Sequence, residues 1–307
     1  MRFEIPFTHD DLTRSARVAE TPEMMANATF EGVRAAFNYW VFHLRAVVQG
    51  CLHPTPRERA VMTLLYRAIG YLASIRKLNS VMHVQAVSAS TRSLFELGID
   101  LALLHQDQTN NSVERLEVFT RVERFRIAQK SVDYFGNHPM PDDFSIDVQR
   151  ALVTDNIQRA EVERLIILHW GRNNRGDLNW PKHWSRFGDT RTRARAVGEG
   201  WEQRYVRHYY TLSWQIHAAL SGVADLPLRT FHGFSALAHK LATEVILDCY
   251  DVVGHELQMD HAIPDWAVHM NFLQHAMGLA LADARLCALG EPSRFRYLEP
   301  DEHEIGG

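Results

Sequence analysis

Cysteine is scarce in this sequence of 307 residues. Only Cys51, Cys249 and Cys287 occur, and no two of them form a Cys-x-x-Cys pair. Neither a disulfide framework nor a cysteine zinc site is therefore supported. Such scarcity is typical of proteins in a reducing compartment, so we predict a cytoplasmic protein.

Long apolar runs and a basic net charge are also missing. No stretch of about 18 residues is apolar throughout, so we expect no membrane span and no membrane partner. The opening MRFEIPFTHDDL lacks the basic and apolar regions of a signal peptide. The net charge is −4 with histidine neutral, so no overall positive field attracts nucleic acid or anionic lipid.

The familiar catalytic and cofactor motifs are absent as well. The sequence has no GxxxxGK[ST], GxGxxG or GxSxG, and HELQMDH places its histidines six residues apart rather than four. Asp248, Asp251 and His255 share one helical stripe and could bind a metal, but a solvated or bundle-facing polar stripe is the favoured interpretation. We predict no cofactor and no metal.

Helix start and stop signals occur along almost the whole chain. Thr21 before Pro22 predicts a helix that runs to Gly50, and Thr55, Pro56 and Glu58 predict another with a capping box. Further helices are predicted over 111–136, 144–170, 201–220, 227–259 and 264–289, with a short one after Asp189. No segment alternates with period two, so we predict an all-α fold, a multi-helix bundle of roughly eight helices.

Charged residues follow one another within an apolar helix at 90–104. Arg92, Glu96 and Asp100 are successive i, i+4 neighbours. They could form a surface stripe. If the helix is central, Arg92 must be paired, and Glu96 is the expected partner.

Polar residues also mark the segment YYTLSWQIHAAL at 209–220. Tyr210, Ser213, Trp214 and His217 share one helix face. Buried hydroxyl and imidazole groups need partners, so they could satisfy one another in the core. Alternatively, His217 is an acid or base that Tyr210 and Ser213 orient.

Basic residues and tryptophans gather between 170 and 201. The basic side chains are Arg172, Arg175, Lys182, Arg186, Arg191, Arg193 and Arg195, opposed only by Asp177 and Asp189. Trp170, Trp180, Trp184 and Trp201 lie in or beside this stretch. Basic groups can neutralise phosphates and aromatic faces can stack on bases, although a solvated loop pinned by its tryptophans has the same composition.

Three of these segments, RSLFELGIDLALL, KHWSRFGDTRTRA and YYTLSWQIHA, resemble in this order a family of bacterial all-helical proteins with a domain of unknown function. The resemblance spans residues 60–220 and rests on an Arg-x-x-x-Glu helix followed by a Ser-x-x-x-His helix. It implies no activity. The positions that it singles out are Arg92, Glu96, Trp184, Tyr210, Ser213 and His217. We expect a single helical domain over residues 1–307, with 60–220 the family-like core and 221–290 C-terminal packing helices.

More distantly, a helical bundle with a polar Arg/His centre resembles the HEPN superfamily, many of whose members are metal-independent ribonucleases. Their mark is an arginine followed by four to six residues and a histidine. Leu212, Thr211 and Tyr210 stand where that arginine would precede His217, so the motif is missing there. It occurs instead as RLIILH and RKLNSVMH, at a frequency expected by chance.

Two functions remain open. In the first, the protein engages RNA or another phosphate-bearing ligand, and any activity is that of a metal-independent ribonuclease. The residues expected to bind are Arg92, Glu96, Trp184, Arg186 and Arg191, and those expected to catalyse are His217, Ser213 and Tyr210. In the alternative, a non-catalytic interaction or ligand-binding bundle, which could be a homodimer, uses its polar centre only for structure.

Overall fold

Helices are the regular secondary structure of the described residues. The computed structural model describes residues 7–78, 80–107, 110–138, 145–216 and 227–294. Within these ranges the only β-type pairing is one isolated bridge between Arg172 and Leu178. The predicted all-α class is confirmed. Of the described helices, none has both the length and the apolar character needed to cross a membrane.

The described residues form fourteen α-helical segments, more than the roughly eight that were predicted. The count differs because single-turn π-helices, called π-turns below, interrupt two long helices, because two further predicted helices are each split in two, and because two short helices were not predicted. The segments are α1 (His9–Ser15), α2 (Pro22–Tyr39), α3 (Arg45–Gly50), α4 (Pro56–Lys77), α5 (Val84–Gln106), α6 (Asn110–Phe135), α7 (Asp147–Thr154), α8 (Asn156–Trp170), α9 (Thr190–Val197), α10 (Glu199–Arg204), α11 (Tyr210–Ile216), α12 (Leu228–Glu256), α13 (Met259–Ala262) and α14 (Trp266–Ala288).

The chain divides into two compact units. Unit 1 comprises Met1–His105 and Val197–Gly307, and unit 2 comprises Gln106–Ala196. The single domain over residues 1–307 stays a prediction.

Local capping signals in the sequence place the helix starts well. The Thr21 side chain accepts a hydrogen bond from the backbone of Met24, with Pro22 in the first turn. Thr55 and Glu58 form the predicted capping box at the start of α4. Both predictions are confirmed, because a cap satisfies backbone N–H groups that the helix itself leaves open.

The single helix predicted over 144–170 is wrong. α7 ends at Thr154, and α8 begins after Asp155. The Asp155 carboxylate accepts hydrogen bonds from the backbone N–H groups of Ile157 and Gln158, at 2.8 and 3.2 Å. Aspartate is a strong N-cap, so Asp155 starts a second helix instead of continuing the first.

The longest helix, α12, is the centre of unit 1. Phe30 of α2 packs on His239, and the Tyr250 hydroxyl donates to the carbonyl oxygen of Ala36 at 2.8 Å, so α2 and α12 run parallel. α14 runs antiparallel to α2, since Arg285 meets Glu20 while His269 meets Tyr39. Each apolar face is thereby covered by a neighbouring helix.

Two further helices pack on α12 and bring functional candidates with them. Thr91 of α5 donates to the carbonyl of Ala238 at 3.4 Å, and Gly98 lies against Val245, so α5 is parallel to α12. α4 runs the other way: Arg57, near its start, holds Glu256 at the end of α12 through two hydrogen bonds of 2.8 Å.

Unit 2 has an apolar core of its own. α6 and α8 enclose a buried cluster of Val118, Val122, Phe125, Val162, Leu165 and Ile166. Gly171 closes α8 with a φ of 74°, a backbone conformation that favours glycine. Leu178, from the loop that follows, packs against the cluster. The loop is therefore attached to the core of its unit.

We expect Gly98→Ala to destabilise the protein by about 1–3 kcal/mol, because an overpacked core must shift to make room. A Cβ at Gly98 would lie 2.6 Å from Val245 Cγ1 and 2.8 Å from Trp201 Cη2. Chemical denaturation gives the free energy of unfolding. Gly70→Ala is the matched control: it lies inside α4 with open space around it, and should stabilise by about 0.5–1 kcal/mol. Equal effects of the two changes would contradict the packing.

A second prediction concerns His239, which is 2% exposed and has no well-formed hydrogen bond to either ring nitrogen among the described residues. Burial lowers its pKa from 6.5 to about 4, and the backbone of Ala26 offsets only part of this. The unfolded chain therefore binds more protons than the folded one between these pH values. The free energy of unfolding that depends on a neutral His239 is therefore fully present above pH 6.5 and is lost as the pH falls to about 4.

The loss attributable to His239 should be roughly 2–3 kcal/mol between pH 7 and pH 4. Unfolding measured across this range should therefore show a flatter pH dependence for His239→Leu than for the parent. His275→Gln, on the exposed face of α14, is the control and should leave the slope unchanged. An unchanged slope in His239→Leu would contradict the burial of a neutral imidazole.

Candidate functional site

The second π-turn, Tyr205–Tyr209, lies between α10 and α11 in unit 1. Its backbone closes with a hydrogen bond from the N–H of Tyr210 to the carbonyl of Tyr205, which spans five residues instead of four. The wider turn brings residues four apart nearly into line, and the rings of Tyr205 and Tyr209 stack with centroids 5.0 Å apart. π-turns are rare in proteins, and those that occur are often found at functional sites.

Tyr209 joins two charged residues of α5. The Arg92 guanidinium donates a hydrogen bond to the Tyr209 hydroxyl at 3.0 Å, and that hydroxyl donates to the Glu96 carboxylate. The guanidinium carbon also lies 4.8 Å from the centre of the Tyr209 ring, within the range of a cation–π contact. Arg92 and Glu96 are half-buried and Tyr209 is buried, so the shared hydroxyl satisfies groups that would otherwise be costly to desolvate.

Aromatic packing fixes this polar centre. Phe95, fully buried on α5, contacts the rings of both Tyr209 and Trp201, with centroids 5.2 and 5.5 Å away. Trp201 in turn packs against Gly98. The position of the Tyr209 hydroxyl is therefore determined by contacts on α5, α10 and the π-turn together.

The predicted polar stripe of the 209–220 segment is only partly brought together. The Ser213 hydroxyl donates to the carbonyl of Tyr209 at 2.8 Å, which places it one turn beyond the polar centre. Tyr210, in contrast, is 68% exposed, and its neighbour Tyr209 is the tyrosine that meets Arg92. His217 lies outside the described residues. In the sequence, positions 209, 213 and 217 are also four residues apart. This spacing could have placed Tyr209 on the polar stripe in place of Tyr210.

A second polar group on the same π-turn was missed from the sequence. His208 is half-buried and its Nδ1 has no hydrogen-bond partner among the described residues. Burial lowers its pKa, and the positive charges of Lys240, Arg207 and Arg204 lower it further. His208 is therefore held neutral near pH 7, the form that can accept a proton. No pattern in the sequence sets His208 apart from the other 16 histidines.

The acidic stripe on α12 is engaged by a neighbouring helix. Arg204 of α10 forms an ion pair with Asp248 and lies 3.4 Å from Glu244. Burial raises the pKa of Asp248, which Arg204 counteracts. His255 lies 3.9 Å from Asp251. Within the described ranges, no three histidine, cysteine or acidic side chains converge on a point where a metal ion could bind.

In unit 2, Trp184 is 2% exposed and belongs to the interior rather than to the surface. Its neighbour His183 is held on both sides. Arg193, itself buried, donates to His183 Nε2 at 2.8 Å, and Ser185 contacts Nδ1 at 2.8 Å. Since arginine can only donate, Nε2 is the acceptor of the contact with Arg193, and the backbone N–H of Ser185 also lies 3.2 Å from Nδ1.

The remaining basic residues of this loop face solvent. Arg186 and Arg191 are exposed, and Arg186 Nε donates to the carbonyl of His169 at 3.1 Å. Arg172, Arg175, Lys182 and Arg195 are exposed too. Trp180 is 37% exposed and is the loop tryptophan with an accessible ring. Of the seven basic residues noted in this stretch, six are exposed, whereas Arg193 and the neighbouring Trp184 are buried.

Comparison with known proteins adds one finding. A family described as a family of unknown function, DUF5677, matches residues 58–228. The chain belongs to this family. The DUF5677 match covers α4 to α11, and so includes Arg92, Glu96, Tyr209 and Ser213 as well as all of unit 2. The predicted resemblance to a helical family of unknown function is confirmed. No curated protein and no solved structure matches the chain significantly.

The geometry predicts unequal roles for two adjacent tyrosines. Tyr209→Phe removes the hydroxyl that Arg92 and Glu96 share, and should cost about 1–3 kcal/mol of unfolding free energy because half-buried charged groups lose a partner. Tyr210→Phe changes an exposed hydroxyl and should stay within about 0.5 kcal/mol of the parent. Urea unfolding of the two variants compares them, and the reverse order of stabilities would contradict the placement of Tyr209.

Proposed function

We propose that the protein engages RNA or another phosphate-bearing ligand, with Arg92 at the polar centre of unit 1 as the principal anion-binding group. The observation that carries the proposal is the state of this guanidinium. Tyr209 fixes it by a hydrogen bond and by its ring, while its Nε is shielded from solvent and has no hydrogen-bond partner among the described residues. A planar guanidinium held in one orientation matches the geometry of a phosphate, and the unpaired Nε would gain a partner if a ligand reached it.

The surrounding groups are suited to proton transfer next to such an anion. Ser213 lies one turn beyond Tyr209, and His217 follows Ser213 by four residues in the sequence. In the proposed reaction the 2′-hydroxyl of RNA attacks the adjacent phosphorus as its proton passes to the histidine. The bond from phosphorus to the 5′-oxygen breaks, and that oxygen takes a proton from water. A 2′,3′-cyclic phosphate and a 5′-hydroxyl result, as in metal-independent, HEPN-like ribonucleases. His208, neutral and half-buried, is the second candidate base.

The basic surface of unit 2 supports binding of the nucleic-acid backbone. Arg186 and Arg191 are exposed beside four further exposed basic residues, and Trp180 offers an aromatic face. Basic side chains neutralise phosphates, and aromatic faces stack on bases of single strands. Because the net charge of the whole chain is −4, this local surface is where we expect electrostatic attraction.

A second candidate is a non-catalytic interaction or ligand-binding bundle, for example a homodimer, in which the polar centre only supports the fold. The observation in its favour is that the Tyr209 hydroxyl is already occupied by two partners and the Ser213 hydroxyl by a backbone carbonyl. Such a centre would respond to mutation through stability alone, which separates the two candidates experimentally.

The test of binding uses fluorescence anisotropy of a labelled single-stranded RNA of about 20 nucleotides, at two salt concentrations. Arg92→Ala should weaken binding by about tenfold, since a charge-assisted contact is lost. In the double variant Arg186→Ala/Arg191→Ala, the slope of the logarithm of affinity against the logarithm of salt concentration should become shallower, equivalent to about one to two fewer ions released on binding. The matched control is Arg159→Ala, an exposed arginine on α8, which should leave both values unchanged.

Cleavage is tested separately, in EDTA, with His217→Ala and with His208→Ala. The proposal expects product with a cyclic phosphate end from the parent, and loss of cleavage without loss of melting temperature in one of the variants. If the parent protein binds RNA but does not cleave it, the proposed reaction is wrong and the proposed binding still holds. A parent that does not bind RNA, together with an Arg92→Ala variant changed in stability alone, establishes the structural candidate instead.

A further inference from the structure

Unit 2 contains a groove apart from the basic loop. Its volume is about 610 Å³, within the range of roughly 300–1,000 Å³ that small-molecule pockets occupy. α6 forms one wall, and the junction of α7 and α8 forms the other. The lining residues are Glu117, Thr120, Arg121, Arg124, Phe125, Leu152, Ile157, Gln158, Glu161 and Val162.

The floor of this groove is apolar. Phe125 and Val162 belong to the core cluster of the unit, and Leu152 packs against that cluster. Ile157 lies in the first turn of α8 and is 82% exposed, although it also lines the groove. An aliphatic side chain kept in water above an apolar floor is a feature of binding surfaces, because burying it would be favourable.

The rim carries positive charge that the protein does not use. Arg124 is exposed and forms no ion pair or hydrogen bond among the described residues. Arg121 lies 3.8 Å from Glu161, a long contact, because Glu161 already accepts two hydrogen bonds from Arg164 at 2.8 and 3.0 Å. The Arg164 side chain also holds the pKa of Glu161 below its usual value, so this carboxylate stays charged and paired.

One acidic group on the wall needs consideration. Glu117 is exposed and precedes Arg121 by four residues on α6, the spacing and order that favour an ion pair between the two. Among the described residues, however, Glu117 forms no ion pair with Arg121, whose acidic neighbour is Glu161. Arg124 lies a further three residues along the helix, next to the floor residue Phe125. The cation available to a ligand is thus adjacent to the apolar surface.

We propose that this groove binds a small amphipathic organic anion, whose apolar chain covers Phe125, Val162 and Ile157 and whose carboxylate or phosphate head is held by Arg124. Charge complementarity selects an anion, and the exposed Ile157 selects an apolar body. The site lies within unit 2 and uses none of the residues assigned to RNA, so it stands or falls independently of the proposed function.

Isothermal titration calorimetry with the full chain tests this site, using octyl phosphate, octanoate, octyltrimethylammonium and octyl glucoside as probes below their micellar concentrations. Octyl phosphate or octanoate should bind at a ratio of one per chain, and the stronger of the two identifies the head group. The cationic and neutral probes should bind at least about tenfold more weakly, as expected when a charge-assisted contact is missing.

Two pairs of variants locate the binding. Arg124→Ala should weaken it by about tenfold and Arg124→Lys by less, whereas Arg150→Ala, an exposed arginine of α7 outside the groove, should have no effect. Ile157→Glu should abolish it by placing a negative charge at the apolar surface. Val148→Glu is the matched control, since Val148 is 75% exposed on α7 and does not line the groove.

Substitution of exposed side chains leaves folding intact, so each outcome bears on the site. Equal binding of anionic, neutral and cationic probes would overturn the proposal, as would binding that Ile157→Glu and Val148→Glu weaken equally. Absence of saturable binding by both anions at millimolar concentration would also overturn it.

Discussion

The hydroxyl of Tyr209 holds a guanidinium and a carboxylate in one half-buried position. Arg92 donates to it and Glu96 accepts from it. Either charge alone would be costly to desolvate there, and the hydroxyl gives both a partner without neutralising either. The packing of Phe95 and Trp201 depends on the same position of the Tyr209 ring. The guanidinium that we propose as an anion-binding group is therefore oriented by a contact that the fold itself uses.

The two π-turns of unit 1 solve a similar problem. At Trp40–Leu44 the wider turn brings Tyr39 over His43, with ring centroids 5.0 Å apart, as it brings Tyr205 over Tyr209 in the second. His43 also faces His269 of α14, and burial lowers the pKa of both histidines. In each case a long helix changes register so that a polar aromatic residue meets a partner on another helix, a local cost that tertiary contacts offset.

Local signals in the sequence were sufficient to predict many of the helices, but they did not predict which side chains meet at the candidate site. Caps such as Thr55 are determined by neighbouring residues, so the start of α4 could be read from sequence. The split at Asp155 was missed because an apolar pattern continues across it. The choice of Tyr209 over Tyr210 depends on a π-turn, which no sequence period announces. Trp184 looked like a ligand-binding ring, but it is 2% exposed, and burial of one tryptophan among several cannot be read from local composition.

The central claim is that Arg92 and Tyr209 act as one unit. A double-mutant cycle on the unfolding free energy, with Arg92→Ala, Tyr209→Phe and the combined variant, measures their coupling directly. A shared hydroxyl predicts that the second substitution costs about 1–2 kcal/mol less once the first is made, since the partner is already gone. Costs that add within about 0.5 kcal/mol would show that the two side chains do not depend on each other, and would contradict the account.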